Sequence, residues 1–231
     1  MKIRTLSVLA GVGAPLILTA GASAAFVGIK AVGKENAFGI IVVNVYAEYD
    51  RPGDLFSHAG GTVDAPLLIQ VLGGGTFYNH SFGGDIAPSA NLVVAFPSLA
   101  YDTFVTIGLK VNSNAFPDAL LITPGFPTGI TGTQLFTNES GWAVTPDDAQ
   151  GDPFNPDYVA GNGQVLIAQF ATADGTGFSG TMLVGGVSNG VAQDFVVSFF
   201  YVVPAPGALA LLGAAGLVGA SRRRCHHRNS P

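Results

Sequence analysis

The chain has 231 residues, fifteen acidic and ten basic, and its formal net charge of −5 argues against nucleic acid as a partner. Its one cysteine, Cys225, excludes an internal disulfide framework and a zinc site built from several thiolates. Hydrophobic residues make up 48% of the chain and glycine is abundant, which fits a secreted β-domain with tight turns better than a disordered stalk.

The first segment has the features of a secretory signal peptide. Lys2 and Arg4 are basic, residues 6–20 are mostly apolar, and Ala22 and Ala24 form a small-residue cleavage site. The sequence therefore predicts a signal peptide over residues 1–24, which signal peptidase removes. A retained N-terminal anchor helix stays open as an alternative, because two glycines and a proline interrupt the apolar run.

The first half of the following domain contains several strand-like runs. Residues 25–37 fit either a short helix or an extended lead-in. Residues 40–49 are rich in β-branched side chains, and alternate positions from Ile41 to Tyr49 would form one buried face. Residues 67–72 and 76–81 flank three glycines and predict two strands joined by a turn. Thr103 to Asn112 alternates in the manner of a half-exposed antiparallel strand.

The second half continues this pattern after a long loop. Residues 124–158 are rich in Pro, Gly and Asp, with a short strand expected near Trp142. Residues 164–172, 180–187 and 193–203 predict three more strands. The last is apolar on both faces from Phe195 to Val203 and is expected to be central. Many short strands without a fixed-period repeat predict an all-β fold, an antiparallel β-sandwich or jelly roll, over residues 25–202.

No catalytic constellation is identifiable in this domain. It contains two histidines, His58 and His80. Adjacent His80 and Ser81 would point to opposite faces of a strand, so they do not predict a base and a nucleophile. We therefore expect no catalytic residues and no enzymatic activity. A secreted hydrolase stays open as the weakest alternative, because fifteen carboxylates allow a chance glycosidase pair.

An acidic loop is the strongest candidate for a ligand site. Its oxygen-bearing side chains are those of Asp147, Asp148, Asp152, Asn155 and Asp157. Calcium takes six to eight oxygen ligands from such irregular loops, so Ca²⁺ is the one cofactor that this pattern suggests. The competing interpretation is a solvated loop in which the same side chains stabilise turns.

Three aromatic residues in and beside this loop suggest a second interpretation. Trp142, Phe154 and Tyr158 would stack on sugar rings if they were exposed together, because carbohydrate sites combine aromatic surfaces with polar partners. The domain would then be a carbohydrate-binding module. A lone tryptophan is also common in a hydrophobic core.

The C-terminal segment has a distinct composition. Pro204, Ala205 and Pro206 precede an uncharged apolar run over residues 207–220, and Arg222, Arg223 and Arg224 follow it. The arginines favour a cytoplasmic end, and the run is long enough for marginal spanning of a membrane as a short helix. The tail thus predicts a sorting helix over residues 203–224 and a cytoplasmic end over residues 225–231.

This arrangement resembles the PEP-CTERM sorting signal of Gram-negative bacteria, with Pro-Ala-Pro in place of the usual Pro-Glu-Pro. The resemblance implies recognition by an exosortase-type membrane enzyme, transient anchoring in the inner membrane, and delivery to the outer envelope, cell surface or extracellular matrix. It also implies contact with exopolysaccharide, and a structural or adhesive role is the function we expect.

Removing both ends changes the charge of the protein. The domain between them keeps all fifteen acidic residues but only four basic ones, Lys30, Lys34, Arg51 and Lys110, a net charge of −11. The delivered domain is therefore far more acidic than the whole chain. Such a surface disfavours anionic membranes as partners and is compatible with divalent cations.

Overall fold

The computed structural model describes residues 4–5, 26–36, 38–158, 160–188 and 190–203. The strands in chain order are β1 (Arg4–Thr5), β2 (Phe26–Glu35), β3 (Ile41–Tyr49), β4 (Leu55–Gly60), β5 (Leu67–Leu72), β6 (Phe104–Val105), β7 (Leu121–Ile122), β8 (Gln134–Thr137), β9 (Gly141–Ala143), β10 (Ala160–Gly161), β11 (Gln164–Thr172), β12 (Gly177–Ser188) and β13 (Val191–Val202). A short helix α1 (Ala90–Ala95) and two 3-10 helices (Pro97–Tyr101 and Ala149–Gly151) complete the described elements. The all-β fold predicted from the sequence is confirmed.

The strands form two sheets. In the smaller sheet β11 pairs with β3, which pairs with β2, while β10 and β6 share the other edge of β11. In the larger sheet β12 pairs with β13 along its length, and its other edge is shared by β4 and β5. β9 and β7 extend the sheet beyond β4, and β8 extends it beyond β5. The pairings are antiparallel, except that β1 runs parallel to β13.

The two sheets share one hydrophobic core. The ring of Phe170 on β11 lies 6.0 Å from that of Phe178 on β12 and 6.1 Å from that of Phe199 on β13. At one end, Phe26 of β2 stacks on Phe195 of β13 with ring centroids 4.8 Å apart. Aromatic pairs of this kind add to the stabilisation from area burial alone. The core thus fixes the larger sheet, which carries the candidate site, against the smaller one.

Several local predictions are confirmed because they rest on alternation within one strand. The predicted face of β3 is buried from Ile41 to Tyr49, at 7% exposure or less. β5 and β11 have the predicted bounds, and residues 26–35 take the extended alternative. A short strand, β9, does include Trp142. Among the described residues no helix is long and apolar enough to cross a membrane, and the predicted sorting helix lies outside them.

The predicted strand over residues 103–112 was wrong. Only Phe104–Val105 is a strand, and Thr106 on the supposedly exposed face is fully buried. Gly108 has a φ of +74°, which breaks the extended backbone, and its N–H donates to the carbonyl of Leu166. Residues 103–109 therefore lie inside the fold beside β11, where the N–H groups of Thr106 and Gly108 donate to β11 carbonyls, while the buried Thr106 hydroxyl has no hydrogen-bond partner among the described residues.

Two further predictions were wrong because they depend on partners far away in sequence. Residues 76–81 form no strand, because Thr76 and Tyr78 donate to residues 171–174 while Phe77 between them donates to Gly132, so no single ladder forms. The central strand of the larger sheet is β12, not the run from residue 195 to 203. Among the described residues, the outer edge of β13 pairs with Arg4–Thr5 alone, and Phe200 on this strand is 56% exposed.

Candidate functional site

A β-bulge in β4 brings two neighbouring polar side chains together. His58 and Phe56 pair with Gly185 and Gly186, which are consecutive on β12, so Ser57 is the extra residue. In a regular strand, Ser57 and His58 would point to opposite faces. A bulge re-aims side chains, and here Ser57 Oγ lies 2.9 Å from His58 Nδ1.

Asp194 of β13, two strands away from β4 in the sheet, contacts the other ring nitrogen of His58. His58 of β4, Gly185 of β12 and Asp194 of β13 are in register across the sheet. His58 Nε2 lies 3.2 Å from Asp194 Oδ1. The pair reaches over Gly185, where a Cβ would collide with both side chains. Glycine at position 185 is thus the condition for the contact.

Ser57, His58 and Asp194 form a continuous chain of polar contacts, which we call the Ser57 relay. With Nε2–H donating to the carboxylate, Nδ1 is left to accept the Ser57 hydroxyl. The Ser57 oxygen is also 3.3 Å from the Gly185 carbonyl, a longer and competing acceptor. A nucleophile, a base and an orienting carboxylate are the parts of a nucleophilic site. No local sequence pattern predicts this set of residues, because the bulge that brings Ser57 and His58 together depends on the pairing of β4 with β12.

The relay lines a groove of about 520 Å³ on the larger sheet, called here the Ser57 groove. Its apolar walls include Ala59, Ala143, Val144, Pro146 and Leu183, and its polar side chains include Thr62, Thr123 and Glu139. Gly60 and Gly141 face each other across β4 and β9 at the groove, with backbones too close for a Cβ on either. An apolar concavity with a few convergent polar groups is the usual form of a small-molecule site.

A second polar and aromatic cluster combines two residues of the loop before α1 with the residue that follows the helix. Phe82 and Phe96 stack with ring centroids 4.5 Å apart, and His80 lies 5.8 Å from the first and 6.2 Å from the second. Phe82 is 56% exposed and Phe96 37% exposed. These three side chains form what we call the aromatic surface. Helix α1 beside it has no buried residue, so the surroundings are also exposed.

Asp102 lies beneath the aromatic surface and is buried. Its Oδ1 accepts the main-chain N–H of His80 at 2.7 Å, and burial raises the pKa of its carboxyl group to about 6. Gly83 packs so closely on this carboxylate that a Cβ there would collide with it. The carboxylate therefore holds the loop through its backbone and does not orient the His80 imidazole.

The acidic loop uses its side chains in turns. Asp148 caps the 3-10 helix by accepting the Gln150 N–H at 2.8 Å. Asp152 accepts the N–H of Phe154 at 2.9 Å, and Asn155 accepts that of Asp157 at 3.0 Å. Asp147 is exposed. Within the part of the chain that the structure describes, no group of three or more His, Cys, Asp or Glu side chains gathers in a way that would hold a metal ion.

Buried Gln150 anchors this loop to the domain, a role that sequence analysis did not identify. Its Nε2 donates to the Ile107 carbonyl at 2.7 Å and to Asp118 Oδ1 at 3.0 Å. Its Oε1 accepts the N–H of Ala119 at 2.8 Å. A glutamine in a polar loop gives no signal of burial, so only the folded arrangement reveals it.

The predicted sugar-stacking residues do not form a common surface. Trp142 is 1% exposed, its Nε1 donates to the Thr106 carbonyl at 3.1 Å, and its ring meets Phe126 edge-on at 5.7 Å. Phe154 packs against the main core, while Tyr158 packs against a separate small cluster. The expectation that Trp142 presents its ring to a glycan is therefore corrected, since the indole belongs to the core.

The predicted processing residues Ala22, Ala24, Pro204, Ala205 and Pro206, with Arg222, Arg223 and Arg224, lie outside the described residues. No protein-family model, no curated protein and no solved structure matches this chain.

Proposed function

We propose that this chain is an exported, C-terminally processed component of a bacterial envelope or extracellular matrix, with a structural or adhesive role in contact with exopolysaccharide. The observation that carries the proposal is the tail after Val203, with Pro204 and Pro206, an apolar run and three arginines. Its resemblance to the PEP-CTERM signal makes an exosortase-type enzyme the processing partner. Signal peptidase would act at the other end, after Ala24.

The proposal is supported by the strand-rich fold of the described part of the chain, which is the fold class expected of the delivered domain. We classify this domain as a β-sandwich, because its two sheets share one core. With a net charge of −11, the delivered domain would repel nucleic acids and anionic membranes. Its place of action would be the outer envelope, the cell surface or the matrix.

The test is mass spectrometry of the protein recovered from a Gram-negative host that carries an exosortase. We expect an N-terminus at Ala25, a C-terminus near Pro206, and recovery with the outer envelope or matrix. Replacing Arg222, Arg223 and Arg224 with glutamine should block this processing, whereas Arg228→Gln should not. An intact C-terminal tail on protein from the envelope fraction would contradict the proposal.

A second candidate function, carbohydrate binding, is favoured by the exposed aromatic surface. Phe82 and Phe96 offer ring faces next to His80, and aromatic faces with polar neighbours suit sugar rings. This moves the expected contact from the loop around Trp142 to the residues on both sides of α1. The acidic loop is assigned a structural role in turns, and Ca²⁺ is not part of this proposal.

Retention on exopolysaccharide tests this second function. Phe82→Ala and Phe96→Ala should each weaken retention of the domain, because each removes a stacking face. Phe38→Ala is the matched control, since Phe38 is 74% exposed and its ring contacts that of Tyr101 rather than those of Phe82, Phe96 or His80. Equal retention of all three variants would exclude the aromatic surface as the contact.

A further inference from the structure

We propose that Ser57 is an activated nucleophile and that the Ser57 groove hydrolyses small, neutral carboxylic esters. This activity goes beyond the structural or adhesive role proposed above. It rests on the described geometry and not on the processing of the tail. The base is His58, and Asp194 is a positioning residue that acts through the imidazole.

The distances define the direction of proton transfer. Ser57 Oγ and His58 Nδ1 are 2.9 Å apart, within the reach of a general base. Asp194 Oδ1 at 3.2 Å from Nε2 favours the tautomer whose Nδ1 lone pair faces the serine. Ser57 and His58 lie on β4, and Asp194 lies on β13 of the same sheet. The register of the strands, rather than a flexible loop, therefore holds the three side chains together.

The reaction balances without a cofactor. Ser57 Oγ attacks the ester carbonyl carbon and its proton passes to His58 Nδ1. The tetrahedral adduct collapses, the bond to the alcohol oxygen breaks, and that oxygen takes the proton from His58. Water then attacks the acyl-serine with His58 again as the base, which releases the carboxylic acid and restores the Ser57 hydroxyl.

The groove defines the substrate class. Its walls are mainly apolar, with Ala59, Val144 and Leu183 among them, which suits an uncharged acyl group. Glu139 and Asp194 line the same groove, so their charge disfavours anionic substrates such as phosphate esters. The groove volume of about 520 Å³ is large enough for a small ester but too small to enclose a long polymer segment.

The experiment is covalent labelling of the full-length protein with a fluorophosphonate probe, followed by peptide mapping. Ser57 Oγ would displace fluoride from phosphorus while His58 takes the proton. We expect one labelled serine, Ser57, and loss of labelling in Ser57→Ala. His58→Asn should slow labelling by about 100-fold or more, the usual contribution of a general base. Hydrolysis of p-nitrophenyl butyrate should fall in parallel.

Matched controls separate this chemistry from general reactivity. Ser81 is exposed and follows His80 directly, so Ser81→Ala should leave labelling unchanged. Asp194→Asn should lower the maximal rate of labelling and leave the probe concentration at half-maximal rate unchanged, because the groove keeps its lining while His58 Nε2–H loses its charged acceptor and the tautomer preference weakens. Asp194→Glu should restore part of that rate, whereas a merely structural role of Asp194 would change both constants together.

A further variant keeps the proposal testable if Ser57→Ala does not fold. In Ser57→Cys, iodoacetamide should alkylate the introduced thiol faster than it does in Ser81→Cys. The proposal is overturned if the wild-type protein is not labelled under conditions that label a reference serine esterase, or if the label maps elsewhere. Failure here leaves the processing and retention experiments unaffected, so the two proposals fail separately.

Discussion

The two histidines of the described domain each have an aspartate close by, but the contacts differ. At the Ser57 relay, the carboxylate of Asp194 meets the imidazole of His58. At the aromatic surface, the carboxylate of Asp102 instead accepts the main-chain N–H of His80. The first arrangement orients a side chain on an open groove, whereas the second fixes a loop from a buried position.

The difference follows from the elements that carry the residues. His58 and Asp194 are in cross-strand register on either side of Gly185, so their side chains extend from the same face of one sheet. His80 belongs to a turn, in which Gly83 N–H donates to the His80 carbonyl and the backbone curls around Asp102. Proximity of histidine and aspartate in space is therefore not enough, because only the sheet directs both side chains at each other.

The largest expected effect concerns the buried carboxylate of Asp102. Its pKa is about 6 in the folded protein against 3.8 ordinarily, so the folded state binds a proton more tightly than the unfolded state. This group contributes most stability below about pH 4, and the contribution is lost as pH rises through 6. The difference corresponds to about 3 kcal/mol.

Urea unfolding of the wild type and of Asp102→Asn at pH 4 and pH 7 measures this contribution. Relative to the variant, the wild type should lose up to about 3 kcal/mol of unfolding free energy between the two pH values. Asp147→Asn removes the same charge from an exposed position and controls for net charge. Parallel profiles for the wild type and Asp102→Asn would show that the burial of this carboxylate carries no energetic penalty.

A smaller loss of stability is expected when Gly185, over which His58 and Asp194 meet, is replaced by alanine. In Gly185→Ala the new methyl group would collide with His58 and Asp194. These are side-chain ends that move aside, so the cost should be about 1–3 kcal/mol. The contact between His58 and Asp194 should also be lost, and fluorophosphonate labelling of Ser57 should fall.

Gly84→Ala is the matched control for this change, because a Cβ there meets nothing within 4 Å. Thermal unfolding of both variants should show a clear drop in Tm for Gly185→Ala and little change for Gly84→Ala. A Gly185→Ala protein with wild-type Tm and wild-type labelling would mean that the two side chains do not share the space over β12.

The smallest effect is the coupling within each histidine–aspartate pair. A double-mutant cycle of His58→Ala and Asp194→Ala should give a coupling of about 0.5–1 kcal/mol, as expected for a partly exposed pair. The cycle of His80→Ala and Asp102→Asn should give less, since the Asp102 bond is to the backbone, which both variants keep. Equal couplings would remove the distinction between the two regions.

The sequence predicted those features of the fold that depend on local alternation. The buried face of β3 and the bounds of β5 and β11 followed from apolar residues at every second position. It failed at residues 103–112, where alternation is equally clear but Gly108 breaks the strand and both faces are buried from Thr103 to Leu109. Alternation reports local pattern, and it does not report whether a neighbouring sheet covers the polar face.

The candidate site was less accessible to prediction than the fold. The acidic loop and Trp142 stood out by composition; in the fold, Asp148, Asp152 and Asn155 accept N–H groups in turns, and the indole belongs to the core. Ser57, His58 and Asp194 had no distinguishing spacing, because their contact depends on a bulge in β4 opposite Gly185. A bulge forms between two strands, so neither strand's sequence specifies it alone.

The sequence by itself determined the strand-rich character, the acidity of the central domain and the composition of its two ends, because these follow from residue type and local order. Only the tertiary structure decided which side chains meet and which are buried. Asp194 contacts His58 across Gly185, Asp102 is buried beneath a loop, and Trp142 lies in the hydrophobic core. The physical reason is that register and burial arise from pairing between distant segments, and such pairing is a property of the whole fold.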